Sequence, residues 1–201
     1  MKILDYLFPK AECAYCKNEV YNDRFLCPLC ENRLEAFKRV NAITGATVKG
    51  HILYYYEDIV KDMMLQFKYQ DRRFYSRLFA SLMSNQIDGM DIDFDVVIPI
   101  PSNWRRKSIR GYNQSALLAR QISKLCGIPY DSKYLIRVEN TIPLKDMNLN
   151  ERLDHLRSAF GVCGNQIYEN ILLIDDIYTT GSTVESCGKV LYDSDTSQIV
   201  F

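Results

Sequence analysis

The sequence predicts an α/β protein, a parallel sheet flanked by helices with a small four-cysteine ribbon in front of it. Three observations predict this. Two Cys-x-x-Cys pairs, Cys13 with Cys16 and Cys27 with Cys30, crowd together near the start of the chain. Twice further on, a short apolar run leads through a polar loop into a stretch whose apolar residues fall on one helical face. The second of these loops opens with two adjacent carboxylates, Asp175 and Asp176, followed by small hydroxyl residues around Gly181.

Size and composition set the frame. With 201 residues and roughly 150 per domain, the chain holds one full domain and a small attachment, which the cysteines divide into a ribbon over 1–45 and a sheet domain over 46–201. Apolar residues make up 47%, and 25 Lys and Arg balance 25 Asp and Glu, which excludes disorder, collagen and coiled coil. No apolar stretch approaches the roughly 20 residues of a membrane span. Asp5 and Pro9 interrupt the opening MKILDYLFPK where a secretory leader needs an unbroken apolar run, so a cytoplasmic protein is expected. Cys126, Cys163 and Cys187, scattered among apolar neighbours, read as reduced core cysteines.

Each element follows in order. Two Cys-x-x-Cys knuckles at this spacing suit a tetrahedral, structural Zn2+ site with no position left for water. Two disulfides or a redox pair are the alternatives, disfavoured by the missing leader and by the missing strand-helix context. A segment of this size buries too little apolar surface to fold alone, so the metal supplies the missing stability. A polar helix is expected over Glu31 to Arg39, and Tyr54-Tyr55-Tyr56 reads as a partly buried strand. Ile59, Met63 and Phe67, then Phe74, Leu78 and Leu82, recur every four residues and predict two helices within 58–88. Phe94 to Pro101 is a buried strand, Ser102 to Asn113 a loop, and Ser115 to Cys126 a helix stopped by Gly127 and Pro129. Strands are expected around Tyr134 to Val138 and Ala159 to Val162. Ile171 to Ile174, the loop from Asp175, a helix from Thr183 to Tyr192 and a strand at Gln198 to Phe201 complete a second unit. Such alternation gives a parallel sheet with binding loops at the carboxyl ends of its strands.

Two loops carry the chemistry. Asp175 and Asp176 at a strand end are suited to two vicinal hydroxyls, while Thr179, Thr180, Gly181, Ser182 and Thr183 bring hydroxyls and close backbone approach to a helix start, where N–H groups hold phosphate. A sugar phosphate fits both. A phosphoacceptor aspartate of the response-regulator kind would not need the hydroxyl cradle. The earlier loop offers Pro101, Ser102 and Asn103, then Arg105, Arg106, Lys107 and Arg110, suited to a pyrophosphate if it lies beside the first. Charge is split accordingly: residues 96–130 hold six cations and no acid, residues 166–195 six acids and one Lys. Trp104 either stacks on a nucleobase or anchors the loop. His51 and His155 read as exposed or locally hydrogen-bonded.

The string Ile171 to Thr183 resembles the phosphoribosyl pyrophosphate motif of type I phosphoribosyltransferases, and the chain from about Cys13 to Phe201 resembles the ComF-type competence proteins, which include GntX-like members. The resemblance rests on the cysteine ribbon, on Phe67-Lys68-Tyr69, on Arg110 to Gln114, and on Ala159-Phe160 before the final motif. Two positions depart from the family pattern, Leu144 for an expected Gln and His155 for an expected Asn, and relatives continue a few residues beyond Phe201. The resemblance implies a type I phosphoribosyltransferase-like sheet. It implies phosphoribosyl pyrophosphate bound with Mg2+, with Asp175 and Asp176 as the catalytic pair, and an acceptor held by a hood from 58–90 or 140–160. It also implies a part in natural transformation, with single-stranded DNA and a competence helicase as partners. The alternative is a catalytically silent transferase fold that binds single-stranded DNA and the helicase.

Overall fold

The computed structural model describes residues 11–21, 24–103, 108–138 and 159–201. The basic stretch Trp104, Arg105, Arg106 and Lys107, and the segment with Leu144 and His155, lie outside the described residues.

The described elements run α1 (Pro28–Glu35), β1 (Lys38–Thr44), β2 (Lys49–Tyr54), α2 (Asp58–Tyr69), α3 (Tyr75–Ile87) and β3 (Val96–Pro99). They continue with α4 (Gln114–Cys126), β4 (Leu135–Arg137), β5 (Phe160–Val162), β6 (Asn170–Ile174), α5 (Ser182–Tyr192) and β7 (Gln198–Val200). Five strands form one sheet in the order β1-β2-β7-β6-β3, parallel throughout except for the antiparallel hairpin β1-β2. The expected parallel sheet flanked by helices is therefore present.

Strand β3 and the Ile171–Ile174 run of β6 are apolar without a break because helices or loops cover both of their faces. Val97, Leu172, Ile174 and Val200 point into one buried cluster with α2, α3 and α4. Their neighbours Val96, Ile98, Ile171, Leu173 and Ile199 point to the other face, against Val184, Cys187 and Leu191 of α5 and against the β4-β5 pair. Truncating a side chain such as Ile171 would cost about 2–5 kcal/mol, since nothing can collapse into the gap. Helix α4 starts where the Asn113 side chain accepts from the Ser115 N–H at 3.1 Å and stops at Gly127, whose φ of 72° is left-handed.

The cysteine segment does not stand apart. Cys13, Val20, Leu26, Cys27, Cys30 and Leu34 share their apolar cluster with Ile59, Met63, Phe67 and Tyr75 of α2 and α3. Tyr15 donates to Asp62 at 2.9 Å, Tyr75 donates to the Ala14 carbonyl at 3.0 Å, and Arg33 pairs with Asp58.

Several sequence expectations need correction. The helix expected over Glu31 to Arg39 starts at Pro28 and ends at Glu35, because Pro28 fits the first helical turn and Lys38–Thr44 is drawn into the hairpin with β2. Cys163 is exposed and Cys126 half-buried, leaving Cys187 as the buried one of the three. Strand β2 ends at Tyr54, so Tyr55 and Tyr56 lie beyond it and are exposed. Strands β4 and β5 pair with each other outside the main sheet. Among the described residues no helix is long and apolar enough to cross a membrane.

Candidate functional site

Two sites take form, one at the cysteines and one at the ends of β3 and β6. In the first, the Sγ atoms of Cys13, Cys16, Cys27 and Cys30 all lie within 4.8 Å of one another. Each pair sits on a tight turn. The Cys13 knuckle closes through Cys13 N–H to Asn18 at 2.7 Å and Lys17 N–H to Cys13 at 3.1 Å, with Lys17 at a left-handed φ of 69°. The second pair brackets the start of α1, with Cys27 at its cap and Cys30 in its first turn. Burial pushes the Cys13 thiol up, but backbone donors around Cys27, Cys16 and Tyr15 outweigh it and hold the group down to about 6. Burial and the other three thiols push Cys30 the opposite way. Four soft sulfurs converging at this spacing fit one tetrahedral Zn2+, with bonds of about 2.3 Å and every position taken by protein.

The second site grows from the parallel pairing of β3 and β6. Pro99 lies opposite Ile174, and the Ile100 N–H donates to the Ile174 carbonyl at 2.9 Å. Consequently the loop through Pro101, Ser102 and Asn103 leaves the sheet next to the loop that begins at Asp175. Helix α4 ties them together. The Asn113 amide donates to the Ile100 carbonyl at 3.0 Å, while Ser115 Oγ donates to Asp175 Oδ1 at 2.8 Å. Asp175 also accepts from the Asp176 N–H at 2.9 Å. Burial, then the neighbouring Asp176 charge, pushes the Asp175 carboxyl up to about 7 despite these donors and Lys68. Lys68 Nζ meets Asp176 Oδ2 at 2.7 Å, with side-chain exposures of 12% and 14%.

Beyond the carboxylates the chain turns sharply. Gly181 has a φ of 78°, and a Cβ there would stand 2.4 Å from the Tyr178 hydroxyl. Thr179, Thr180, Ser182 and Thr183 are exposed around this turn, and no side chain caps α5. The Ser182 N–H makes only a long contact, 3.5 Å, to Thr180 Oγ1, and the helix start lies beside two acids and four hydroxyls.

A cavity of about 420 Å³ lies beside the other loop, lined by Pro101, Ser102, Gly111, Asn113 and Arg120. Ser102 Oγ is buried with no hydrogen-bond partner among the described residues. Arg110 lies further out. Its guanidinium stacks over Tyr69 at 4.9 Å, donates to the Tyr69 hydroxyl at 2.9 Å and reaches Gln114 at 3.2 Å. Tyr112 donates to the Phe67 carbonyl, so Phe67-Lys68-Tyr69 and Arg110 to Gln114 interlock. That contact holds Lys68 against Asp176. Sequence reasoning quoted both elements without giving Lys68 or Ser115 a place at the site. His51, read as exposed or locally bonded, is half-buried, and its Nδ1 has no partner among the described residues.

No family model matches the chain. It is 27% identical over 188 residues to competence protein F of Haemophilus influenzae, covering 89% of this chain and 77% of that protein. It is 28% identical over 184 residues to competence protein ComFC of Bacillus subtilis, covering 84% and 72%. Among solved structures, glutamine phosphoribosylpyrophosphate amidotransferase of B. subtilis, in complex with ADP and GMP, aligns with a TM-score of 0.46 and 14% identity over 64% of this chain and 26% of the other.

Proposed function

Because the chain belongs to the ComF-type competence family, we propose that it serves DNA uptake as a phosphoribosyltransferase that binds phosphoribosyl pyrophosphate at Asp175 and Asp176. The observation that supports this reading most is the seating of two unlike loops side by side on β3 and β6, acidic and hydroxyl-rich on one, donor-rich on the other. Asp175 and Asp176 take the ribose hydroxyls, and the turn from Thr179 to Thr183 takes the 5-phosphate on the open N-terminus of α5. Pro101, Ser102 and Asn103 hold the pyrophosphate, with Arg105, Arg106, Lys107 and Arg110 supplying positive charge. The adjacent carboxylates, of which Asp176 pairs with Lys68 at 2.7 Å, fit a divalent cation. Asp175 and Asp176 would hold Mg2+, which would supply charge neutralisation for the leaving pyrophosphate. As positive charge develops at the anomeric carbon, the fixed carboxylates stabilise it without reorganising.

Calorimetry tests the assignment. Wild-type protein should bind phosphoribosyl pyrophosphate in a Mg2+-dependent manner, and the Asp175→Ala, Asp176→Ala double variant should not. Undiminished binding in the double variant would remove the carboxylates from the site.

The ribbon over 1–45 is proposed as a zinc-held unit, packed against α2 and α3, before the transferase-like unit over 46–201. Cys27→Ser should release one zinc per chain in elemental analysis, with new proteolytic cuts confined to residues before 45. Loss of Mg2+-dependent ligand binding in the same variant would overturn that division.

A second reading, consistent with the competence names of the relatives, is a catalytically silent transferase fold that acts as a single-stranded DNA-binding and helicase-partner module. Single-stranded DNA affinity would then fall steeply with salt, and each phosphate contact removed among Arg105, Arg106, Lys107 and Arg110 would lower the log-log slope by about 0.7. Salt-independent binding would exclude it.

A further inference from the structure

The helix that begins at the hydroxyl-rich turn carries an acid in its own first turn. Glu185 stands three residues beyond Ser182 on α5, and helical side chains lean back toward the N-terminus. This is the spacing at which the Glu of a capping box reaches back to a backbone N–H. The Ser182 N–H is open to such a partner, since its contact with Thr180 Oγ1 is 3.5 Å long. A carboxylate folded back there would be favoured by the helix dipole, and it would occupy the place that the reading above gives to a phosphate.

Glu185 is held elsewhere. Its Oε2 accepts from the Thr47 N–H at 3.0 Å and from the Thr47 hydroxyl at 2.8 Å, two charge-assisted bonds from the turn that joins β1 to β2. The seat is cut to this carboxylate. A Cβ on Gly45 would stand 1.5 Å from Glu185 Oε1, and a Cβ on Gly188 would stand 2.1 Å from Val48 Cγ2. Two glycines, one on each partner, thus let the turn lie directly on α5. The turn keeps its place by other means as well, because the Gly45 N–H donates to the Val48 carbonyl at 2.9 Å and Val48 shares a buried apolar cluster with Val184, Cys187 and Leu191. Thr47 therefore fixes where the carboxylate points more than where the hairpin lies.

We propose that Thr47 is a positioning residue for phosphate binding: it holds the Glu185 carboxylate on the hairpin turn and so keeps the first N–H groups of α5 available to an anion from outside the chain. The inference rests on the reading that the turn from Thr179 to Thr183 takes the 5-phosphate. Released from Thr47, the same carboxylate competes for those N–H groups and repels the phosphate.

Calorimetry on the full chain with Mg2+ tests this, with ribose 5-phosphate as the probe of the turn and inorganic pyrophosphate as the probe of the loop from Pro101. Thr47→Val removes one of the two donors. Gly45→Ala pushes the carboxylate from its seat, at a backbone position that is not left-handed. Each should weaken ribose 5-phosphate about fivefold, the scale of one charge at a helix start, and leave pyrophosphate affinity unchanged, which also certifies the fold. Adding Glu185→Ala to either variant should restore ribose 5-phosphate affinity, and Thr47→Ser should keep it. The proposal is overturned if neither variant weakens ribose 5-phosphate, if Glu185→Ala restores nothing, or if pyrophosphate affinity falls in step. Wild-type protein that binds neither ribose 5-phosphate nor phosphoribosyl pyrophosphate would instead remove the phosphate reading itself, and the role of Thr47 with it.

Discussion

The two strand-loop-helix units, β3 to α4 and β6 to α5, start as parallel neighbours in direct register and end as opposites. In the first, Asn113 closes the helix start on itself. Its Oδ1 accepts from the Ser115 N–H at 3.1 Å and its Nδ2 fastens the Ile100 carbonyl at 3.0 Å. In the second, Gly181 has no side chain to offer, and the start of α5 has, among the described residues, only a long 3.5 Å contact from the Ser182 N–H to Thr180 Oγ1. A helix start that satisfies its own donors is a structural joint, whereas one left open is stable only because water, or an anion, can serve it. The closed unit also serves the open one, since Ser115 reaches across to Asp175 at 2.8 Å. One loop is tied down by side-chain hydrogen bonds, and the other leaves its helix start nearly bare.

The largest effect should come from filling the open turn. Gly181→Ala places a Cβ 2.4 Å from the Tyr178 hydroxyl at a left-handed φ of 78°, where a non-glycine residue costs about 1–2 kcal/mol before any clash. Mg2+-dependent phosphoribosyl pyrophosphate affinity should fall tenfold or more in calorimetry. If it does not fall, the openness of this turn has nothing to do with the ligand.

An intermediate effect is expected from pH. Burial, and then Asp176, pushes the Asp175 carboxyl up to about 7. Because cation and ribose hydroxyls need the ionised carboxylate, ligand affinity should rise with pH through about 7. The ligand-free fold responds with the opposite sign. A native pKa raised above the unfolded value of 3.8 contributes stability that is complete below that value and lost as pH rises through about 7. Ser115 donation lowers the Asp175 value, so Ser115→Ala should move both midpoints upward. An unmoved midpoint would show that the two units are not coupled through this hydroxyl.

The smallest effect on affinity belongs to the closed unit. Asn113→Ala removes a cap worth about 1 kcal/mol and should lower the melting temperature by a few degrees, with ligand affinity changed less than twofold. A drop in affinity comparable to that of Gly181→Ala would erase the distinction between the two helix starts.

What the chain shows of itself in sequence follows the range of the interactions involved. Asp175 to Thr183 is contiguous, so its chemistry is visible in one line of text, as are the two Cys-x-x-Cys knuckles. The helices α2, α3 and α4 declare themselves by four-residue apolar spacing because each buries one stripe. Lys68 and Ser115 could not be placed the same way, since each reaches the acidic pair only after helices distant in sequence have packed. Lys38 and Arg39, expected at the end of a helix, lie in β1 for a related reason: a strand partner, not local propensity, decides their conformation. His51 looks ordinary in sequence, and only the end of β7 beside it turns its nitrogen into an orphan.

The hairpin β1-β2 is fastened to parts of the chain made much later. Lys49 pairs with Val200 on β7, and Glu185 in the first turn of α5 accepts from the Thr47 N–H at 3.0 Å and the Thr47 hydroxyl at 2.8 Å, 138 residues away in sequence. Contacts of such separation close slowly, because the chain must surrender loop entropy before they form. During synthesis the hairpin leaves the ribosome with one edge unpaired and waits for nearly all of the sheet to follow. The nascent chain is therefore most vulnerable to aggregation just before β7 is made, and a ribosome stalled between α5 and β7 would present a docked N-terminal half with an open, adhesive seam.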